Sequence, residues 1–455
     1  MKEGYLRWMA LLGISLLAFT AFLDVTIVNT ALPFIKRVFN AEILELQWVT
    51  NIYSMALTMT MVAVGRFADL FGRKRVFYIG VILFGLSALG AGFSPTIEVV
   101  ILFRALQGLG ASVLFVASAS LISDTFPVKE HGKAIGIYSG ITGLGLAVGP
   151  FSGGLLIEWL DWRWVFWINL PLILIGSLLC GYSLKLPPHP KAKVSIDWKG
   201  LVLIILGLGG SVYGIINAAD LGFGSWITWS TLGGGILLLI FFIACEKKGK
   251  TPLLDLEIFQ NKMVLLAMLS CSLAGVASFV FMFFDPLYLN ILRHFSALQM
   301  GLLIAAIPLA QVIISFLFNP LQKWLGLPTL MLISVVTAFL AISGHFFIGP
   351  STAIEILLIP FMLLGINWGL SNAGTIAIVN QVISKKKISL AIGSIFMIWN
   401  MAGSIFLAIS SGIFHIKQNS FMEAFYAMVT FNAIFALLIL LLTTLLVLRT
   451  HLKQR

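Results

Sequence analysis

Two carboxylates stand where carboxylates are costly. Asp24 lies inside the first apolar run of the chain, near 8–33, and Asp285 lies toward the end of the ninth, near 263–289. An ionised acid within a membrane span is expensive and marks an ion or proton pathway by default. A proton neutralises it, and so does a cationic cargo. Competition between the two for one carboxylate is the elementary chemistry of proton-coupled exchange. Arg104 interrupts the fourth run, near 97–120. Asp24 stands eight residues from Leu32, roughly 12 Å deep, and Arg104 stands seven residues from Ile97, roughly 10 Å deep. The two therefore share a depth and can pair. Tight pairing weakens Asp24 as a proton carrier and makes Arg104 a cation that modulates its acidic neighbour. A helix-packing role is the alternative for both. Asp285 precedes Pro286, so it reads either as an interfacial cap beside a helix break or as a second proton or cation site.

Other polar and aromatic residues inside apolar runs describe a cavity wall. Asn29, Trp48, Asn51, Tyr53 and Gln107 fall in the first four runs. Asn367, Trp368, Asn372, Trp399 and Asn400 fall in the twelfth and thirteenth. Aromatic faces attract lipophilic cations, and adaptable walls accept varied ligands. Lipid-belt or helix-packing placement is the competing reading for each. His345 and His415 stand near span ends and read as interfacial, with no role assigned.

These residues need elements that hold them in lipid. Of the 455 residues 59% are hydrophobic and 10% are charged, with a mean hydropathy of +1.03. Soluble domains carry about 25% charged residues. Backbone groups in lipid must pair internally, so spans are helices or a closed barrel. Continuous apolar runs near twenty residues exclude the barrel. Fourteen such runs predict an all-α polytopic membrane protein with both termini on one side. The first run is too long for a cleavable signal peptide and carries Asp24. Assigning the termini to the cytoplasm places 23 of the 29 Lys and Arg inside and 5 outside, with Arg104 in a span. That asymmetry predicts cytoplasmic termini. The net charge of +11 sits in short loops, so nucleic acid is not an expected partner. Cys180, Cys245 and Cys271 lie in apolar runs without a disulfide or metal pattern. No GxxxxGK[ST] run is present.

The chain repeats weakly. "AIG" occurs at 134–136 and 391–393, and Gly65–Arg75 has a faded counterpart in "NPLQKWLGLPT", which aligns Gly72 with Gly326. The expected organisation is an N-terminal six-helix bundle over 1–184, a linker with two further spans over 185–262, and a C-terminal six-helix bundle over 263–455. Repeats of this kind build transporters, with the substrate site at the repeat interface.

Gly65, Asp69, Gly72, Arg73 and Arg75 punctuate the loop "GRFADLFGRKR", expected to turn tightly between spans two and three. Gly65 and Gly72 permit unusual dihedrals, and Asp69 can accept from helix amides or pair with an arginine. The functional reading is a latch that parts between states; an ordinary basic loop is the other. Gly143, Gly145, Gly149, Gly153 and Gly154 surround Pro150 in span five, a pattern for close helix contact and a kink.

The loop resembles the signature of the major facilitator superfamily. "LDVTIVNTALP" from Leu23, "RALQGLGAS" from Arg104, "GLGLAVGPFSGG" from Gly143 and "DWRWVFWINLP" from Asp161 resemble its fourteen-span drug:proton antiporter family. The second half matches mainly in topology and in "DPLYLNIL" from Asp285. The resemblance implies the major facilitator fold, two six-helix bundles plus two extra helices, and alternating access. It also implies that Gly145, Gly149, Pro150, Gly153 and Gly154 form the antiporter helix. The thirteenth span has Phe406 and Leu407 at the positions of Gly149 and Pro150, so the halves are not equivalent.

The expectation is a secondary active transporter, not an enzyme, in a bacterial inner or plasma membrane. Protons are the coupling ion and no cofactor is required. The partners are a small-molecule substrate and membrane lipid, and the chain is expected to act as a monomer. A lipophilic or cationic drug is the implied cargo. Rival readings are a metabolite or siderophore exporter, a proton-coupled nutrient symporter, and a receptor of transporter descent.

Overall fold

A computed structural model describes residues 2–184, 197–222, 224–247, 258, 260–383, 388–417 and 419–451. Its helices are α1 (Lys2–Phe39), α2 (Ile43–Phe71), α3 (Arg73–Gly92), α4 (Ile97–Thr125) and α5 (His131–Trp159). They continue with α6 (Trp164–Ser183), α7 (Trp198–Asp220), α8 (Trp226–Glu246) and α9 (Lys262–Leu287). The last five are α10 (Ala297–Leu325), α11 (Leu327–Gly344), α12 (Ile354–Val382), α13 (Ile388–Ile416) and α14 (Phe421–His451). Thirteen helices among the described residues are long and apolar enough to cross a membrane. The helix of 29 residues at α2 stands at the second apolar run. No described residue is in a strand.

Hydroxyls inside the spans return to carbonyls of their own helix. Thr20 donates to Leu17 O at 2.7 Å, and Ser87 to Leu83 O at 2.7 Å. Polar residues are thereby tolerated in lipid without opening the helix. Large apolar side chains such as Leu237, Ile240 and Phe241 on α8 face outward. In water such a surface would drive aggregation; in a bilayer it is solvated.

The chain forms two compact units. One comprises Met1–Ile196 with Phe295–Ala305, and the other Asp197–His294 with Ala306–Arg455. In the first, Phe77, Phe84, Leu114 and Leu121 sit in a core shared by α1 to α4. In the second, Leu266, Met331, Ile378 and Ile395 do the same for α9, α11, α12 and α13. Helices α7 and α8 pack on each other within the second unit, and α7 also rests on α13.

One expectation is corrected. The segment from Gly65 is not a loop, because α2 stays helical through Phe71 and α3 begins at Arg73. The turn is Gly72 alone, at φ 94° and ψ 126°. Its N–H donates to Ala68 O at 3.1 Å, and its carbonyl accepts from Val76 N at 3.1 Å. Gly65 therefore has helical backbone and only ordinary contact with Val116. Gly326 makes the same turn between α10 and α11, at φ 79° and ψ 160°. Its N–H donates to Gln322 O at 3.0 Å. The faint repeat in sequence is thus a repeated backbone device, built where a side chain is disfavoured.

Candidate functional site

In the first unit, α1, α2, α4 and α6 converge on Asp24. Its side chain is fully buried and forms an ion pair with Arg104 Nη1. Gln107 Nε2 donates to Asp24 Oδ1 at 2.9 Å, and Asn169 Nδ2 donates to the same oxygen at 3.2 Å. Arg104 is held as closely. Nε donates to Val49 O at 2.9 Å and Nη1 to Gln107 Oε1 at 2.9 Å. The guanidinium lies over the Tyr53 ring, 4.0 Å from its centre. Tyr53 is fixed in turn by its hydroxyl, which donates to Ala21 O at 3.2 Å.

Arg104 and Gln107 are three residues apart on one helix, which puts both on the face that meets Asp24. A planar fork spreads its charge over a carboxylate, a carbonyl and an aromatic face, as a lysine cannot. The depth match expected between Asp24 and Arg104 is met. Sequence reasoning missed Asn169 and the Val49 carbonyl. Asn169 stands in the run "WINLP", where an amide inside apolar sequence was the available signal. Its Oδ1 has no hydrogen-bond partner among the described residues.

The antiporter-like helix supports this site from the side. Ser/Thr and glycine positions interlock where α5 crosses α1. Thr26 Oγ1 donates to Leu146 O at 3.2 Å. A Cβ at Gly149 would overlap Thr26, and one at Gly153 would overlap Thr30. A Cβ at Gly145 would lie 2.9 Å from Phe19 O. Gly154 meets Ala297, and Pro150 O meets Gly301, both in the 295–305 segment of the same unit. A Cβ at Gly143 would meet nothing. The stripe therefore fixes the height and rotation of the helix that carries Asp24.

The remaining candidates separate by unit. Asn29 is buried on α1 and donates to Val25 O of its own helix at 3.2 Å. Trp48 is half-buried on α2. In the second unit Trp368 and Trp399 stack with ring centres 6.3 Å apart, and Phe279 meets Trp399 edge-on at 5.3 Å. Asn400 is buried beside them in sequence and donates to Phe396 O at 3.1 Å; Asn372 is half-buried on α12. Asn367 is committed to packing, with Nδ2 donating to Ser334 O at 2.8 Å.

At the latch, Arg73 Nη1 meets Asp124 Oδ1 at 2.7 Å, tying the start of α3 to the last turn of α4. Arg75 is exposed. Asp69 lies on α2, and its side chain is outside the described residues. Asp285 departs from the interfacial reading: it is buried, and the partner it faces is His345, to which no role was assigned. Cys180 and Cys271 are buried free thiols.

Residues 14–407 match the Major Facilitator Superfamily. The chain is 32% identical over 319 residues to "Multidrug resistance protein Stp" of Mycobacterium tuberculosis, covering 70% of this chain and 59% of that one. It is 34% identical over 307 residues to "Puromycin resistance protein pur8" of Streptomyces alboniger, covering 67% and 60%. "Multidrug resistance protein 3" of Bacillus subtilis is 30% identical over 368 residues, covering 79% and 70%. The chain thus spans 59% and 60% of the length of the first two relatives. A peptide transporter of the POT family, crystallised with sulfate, superposes with a TM-score of 0.73 at 14% identity, covering 97% of this chain and 94% of that one. A bacterial homolog of the human lysosomal transporter Spinster gives 0.66 at 16% identity, covering 99% and 98%. At such identities these two likenesses speak to fold alone.

Proposed function

We propose that this chain, which belongs to the Major Facilitator Superfamily, is a proton-coupled antiporter that exports lipophilic or cationic small molecules by alternating access. Its partners are its substrate and membrane lipid, it acts as a monomer, and protons replace any cofactor. The excess of Lys and Arg in alternate loops supports cytoplasmic termini. The relatives named for multidrug and puromycin resistance support export and a drug-like cargo.

One observation carries the coupling: a fully buried acid whose counter-charge is a single, equally buried arginine. With Asp24 ionised, the Asp24–Arg104 pair is neutral. A proton on Asp24 removes the negative charge and leaves Arg104 uncompensated, so the site carries +1. A cationic cargo is then repelled, and the loss of the proton readmits it. Arg104 remains solvated by Val49 O, Gln107 Oε1 and the Tyr53 face when the carboxylate releases it. The protonated acid becomes a donor. Asn169 Oδ1, the unfilled acceptor beside it, takes that hydrogen once the amide turns. Movement of α1 relative to α4 follows from breaking the pair, and the interlocked α5 moves with α1.

Trp368 and Trp399, with Asn372 and Asn400 on the same two helices, supply stacking faces and amides for planar cargo. Asn29 and Trp48 are the candidates of the first unit; Tyr53 and Gln107, also expected to meet cargo, are fully buried and spent on Arg104 and Asp24, so they hold that pair instead. Asp69, Gly72, Arg73 and Arg75 serve the switch; Gly65, inside α2, does not form its turn.

The test is a proteoliposome assay with an imposed pH gradient, screened against lipophilic cations and neutral metabolites. Cargo efflux from the substrate-loaded side, accompanied by counterflow of protons, is expected. Asp24→Asn is expected to abolish the proton counterflow in protein that still elutes as a single species. Proton flow in the same direction as cargo makes the chain a symporter. Wild-type coupling in Asp24→Asn removes Asp24 from the mechanism.

A further inference from the structure

Asp285 and His345 meet where α9 and α11 end. Their side chains are 1% and 0% exposed, and His345 Nε2 lies 3.3 Å from Asp285 Oδ1. The other ring nitrogen, Nδ1, is 2.7 Å from Ala341 O. A carbonyl only accepts, so Nδ1 carries a hydrogen and is committed. Nε2 and both carboxylate oxygens have no hydrogen-bond partner among the described residues. The surroundings are apolar: the imidazole lies 4.0 Å from the Phe281 ring, with Phe425 at 6.2 Å and Phe361 at 6.3 Å between centres. Pro286 follows directly, and the helix then widens into a π turn over Tyr288–Leu292. Such turns break the regular ladder and recur at functional sites.

A packing role accounts poorly for this arrangement. A buried polar pair retained for packing is satisfied; here Nε2 and Oδ1 stand 3.3 Å apart, and neither they nor Oδ2 has a hydrogen bond among the described residues. An ionised carboxylate beside a neutral imidazole leaves a bare charge among phenyl rings, which is costly. One proton, on Nε2 or on Oδ1, makes the pair neutral and supplies the missing contact.

We propose that Asp285 and His345 form a proton-binding pair in the second unit, separate from the Asp24 network. The unloaded pair is a carboxylate and a neutral imidazole, with net charge −1. The loaded pair holds one additional proton as Nε2–H or Oδ1–H, with net charge 0. Only that N–H or O–H bond forms. Both groups titrate as one coupled unit. The proposal rests on the proton-coupled reading for its use in transport, but not for the binding itself.

The other ionisable groups around the pair are few. On α9's extension, Tyr288 donates to Gly349 O at 2.7 Å, and Arg293 donates to Thr352 O at 2.6 Å. From α14, Tyr426 donates to Ile348 O at 2.8 Å, and Glu423 is exposed. From α12 come Phe361 and the exposed Glu355. From α13, Phe414 packs on Phe284, with His415 the next residue along. Tyr288, Arg293 and Tyr426 all fasten the segment from Ile348 to Thr352, which lies shortly after His345 in the chain.

The experiment measures proton uptake by the purified full chain in detergent, weakly buffered, on a pH jump from about pH 8 to about pH 5. Asp285→Asn and His345→Gln are each expected to take up about one proton fewer per chain than wild type. The double substitution is expected to lose no more than either single one. Asp285→Glu is expected to restore the uptake, which a packing defect would not allow. Undiminished uptake in both single variants overturns the proposal, and so do additive losses. If one single variant fails to fold, the other single variant compared with Asp285→Glu gives the same reading. Asp24→Asn run in parallel separates the two claims: its coupling reports on the first site, while the uptake difference at Asp285 stands or falls alone.

Discussion

Asp24 and Asp285 are both buried acids on helices that open their units' sequence-level bundles, yet they are built oppositely. Asp24 has a permanent cation and two amide donors, and every contact of its ion pair is accounted for. Asp285 has a neighbour whose charge depends on a proton, and its oxygens lack hydrogen bonds. The first acid is stabilised in its ionised form by fixed groups; the second has a place for a proton and nothing else. One chain thus holds a site whose proton must displace an arginine and a site whose proton fills a gap. The difference teaches that burial alone does not define a coupling residue. What the carboxylate faces decides whether gaining a proton breaks structure or completes it.

Neutralising the two acids is therefore expected to move stability in different ways, and this is the largest contrast available. Asp24→Asn leaves Arg104 buried without its counter-charge. Removing one partner of a buried pair costs about 3–5 kcal/mol, and the retained contacts to Val49 O, Gln107 and Tyr53 place the loss at the lower end. Asp285→Asn removes a group whose hydrogen bonds are unmade, so its change is expected below about 1 kcal/mol. Unfolding midpoints of the two purified variants in one detergent check this. Equal losses would mean the two acids are equivalent, and the comparison would break.

Much of the first site was legible because membrane depth is readable from residue counts. Asp24 and Arg104 stand at matching distances from their span ends, and the pair follows. The same count applied to Asp285 and His345 puts both near the ends of their spans, which leaves Asp285 open between an interfacial cap and a proton or cation site and gives His345 no role. Sequence does not say that Phe281, Phe361 and Phe425 close around His345, or that the segment after it is tied by Tyr288, Arg293 and Tyr426. Asn169 was hidden differently: an amide within an apolar run is common, and only the rotation of α6 aims it at Asp24. The turn at Gly72 was legible as a glycine but not as a single residue. Residues 65–71 are polar enough to read as loop, yet helix-forming enough to continue α2 once α4 covers one face.

A second contrast lies within α5. Gly149 and Gly153 press on α1, whereas Gly143 borders open space. Alanine at either packed position is expected to cost about 1–3 kcal/mol through overpacking. It also shifts α1 and hence Asp24, so turnover falls with stability. Gly143→Ala is expected to stabilise the helix by roughly 0.5–1 kcal/mol. Thermal unfolding and gradient-driven efflux measured on the same three variants decide this. A Gly143 variant as damaged as the Gly149 one would show that composition, rather than the α1 contact, matters.

The smallest stability effect belongs to the pair of glycine turns. Gly72 and Gly326 have similar backbone, but only the first is followed by a cation that reaches an acid, Arg73 to Asp124. The counterpart of Arg73 after Gly326 is Leu327, which has no charge to offer. Arg73 and Asp124 are 28% and 32% exposed, so solvent screens them and the pair is worth about 0.2–1 kcal/mol. Arg73→Ala should therefore leave the unfolding midpoint almost unchanged. If the turn is a latch, the same substitution slows exchange between states while cargo affinity holds, because a small energy at a two-state contact shifts a population directly. Transport rate and equilibrium cargo binding, measured side by side, separate these. Unchanged turnover in Arg73→Ala would reduce the Gly72 turn to what Gly326 already is: a sharp bend between two helices.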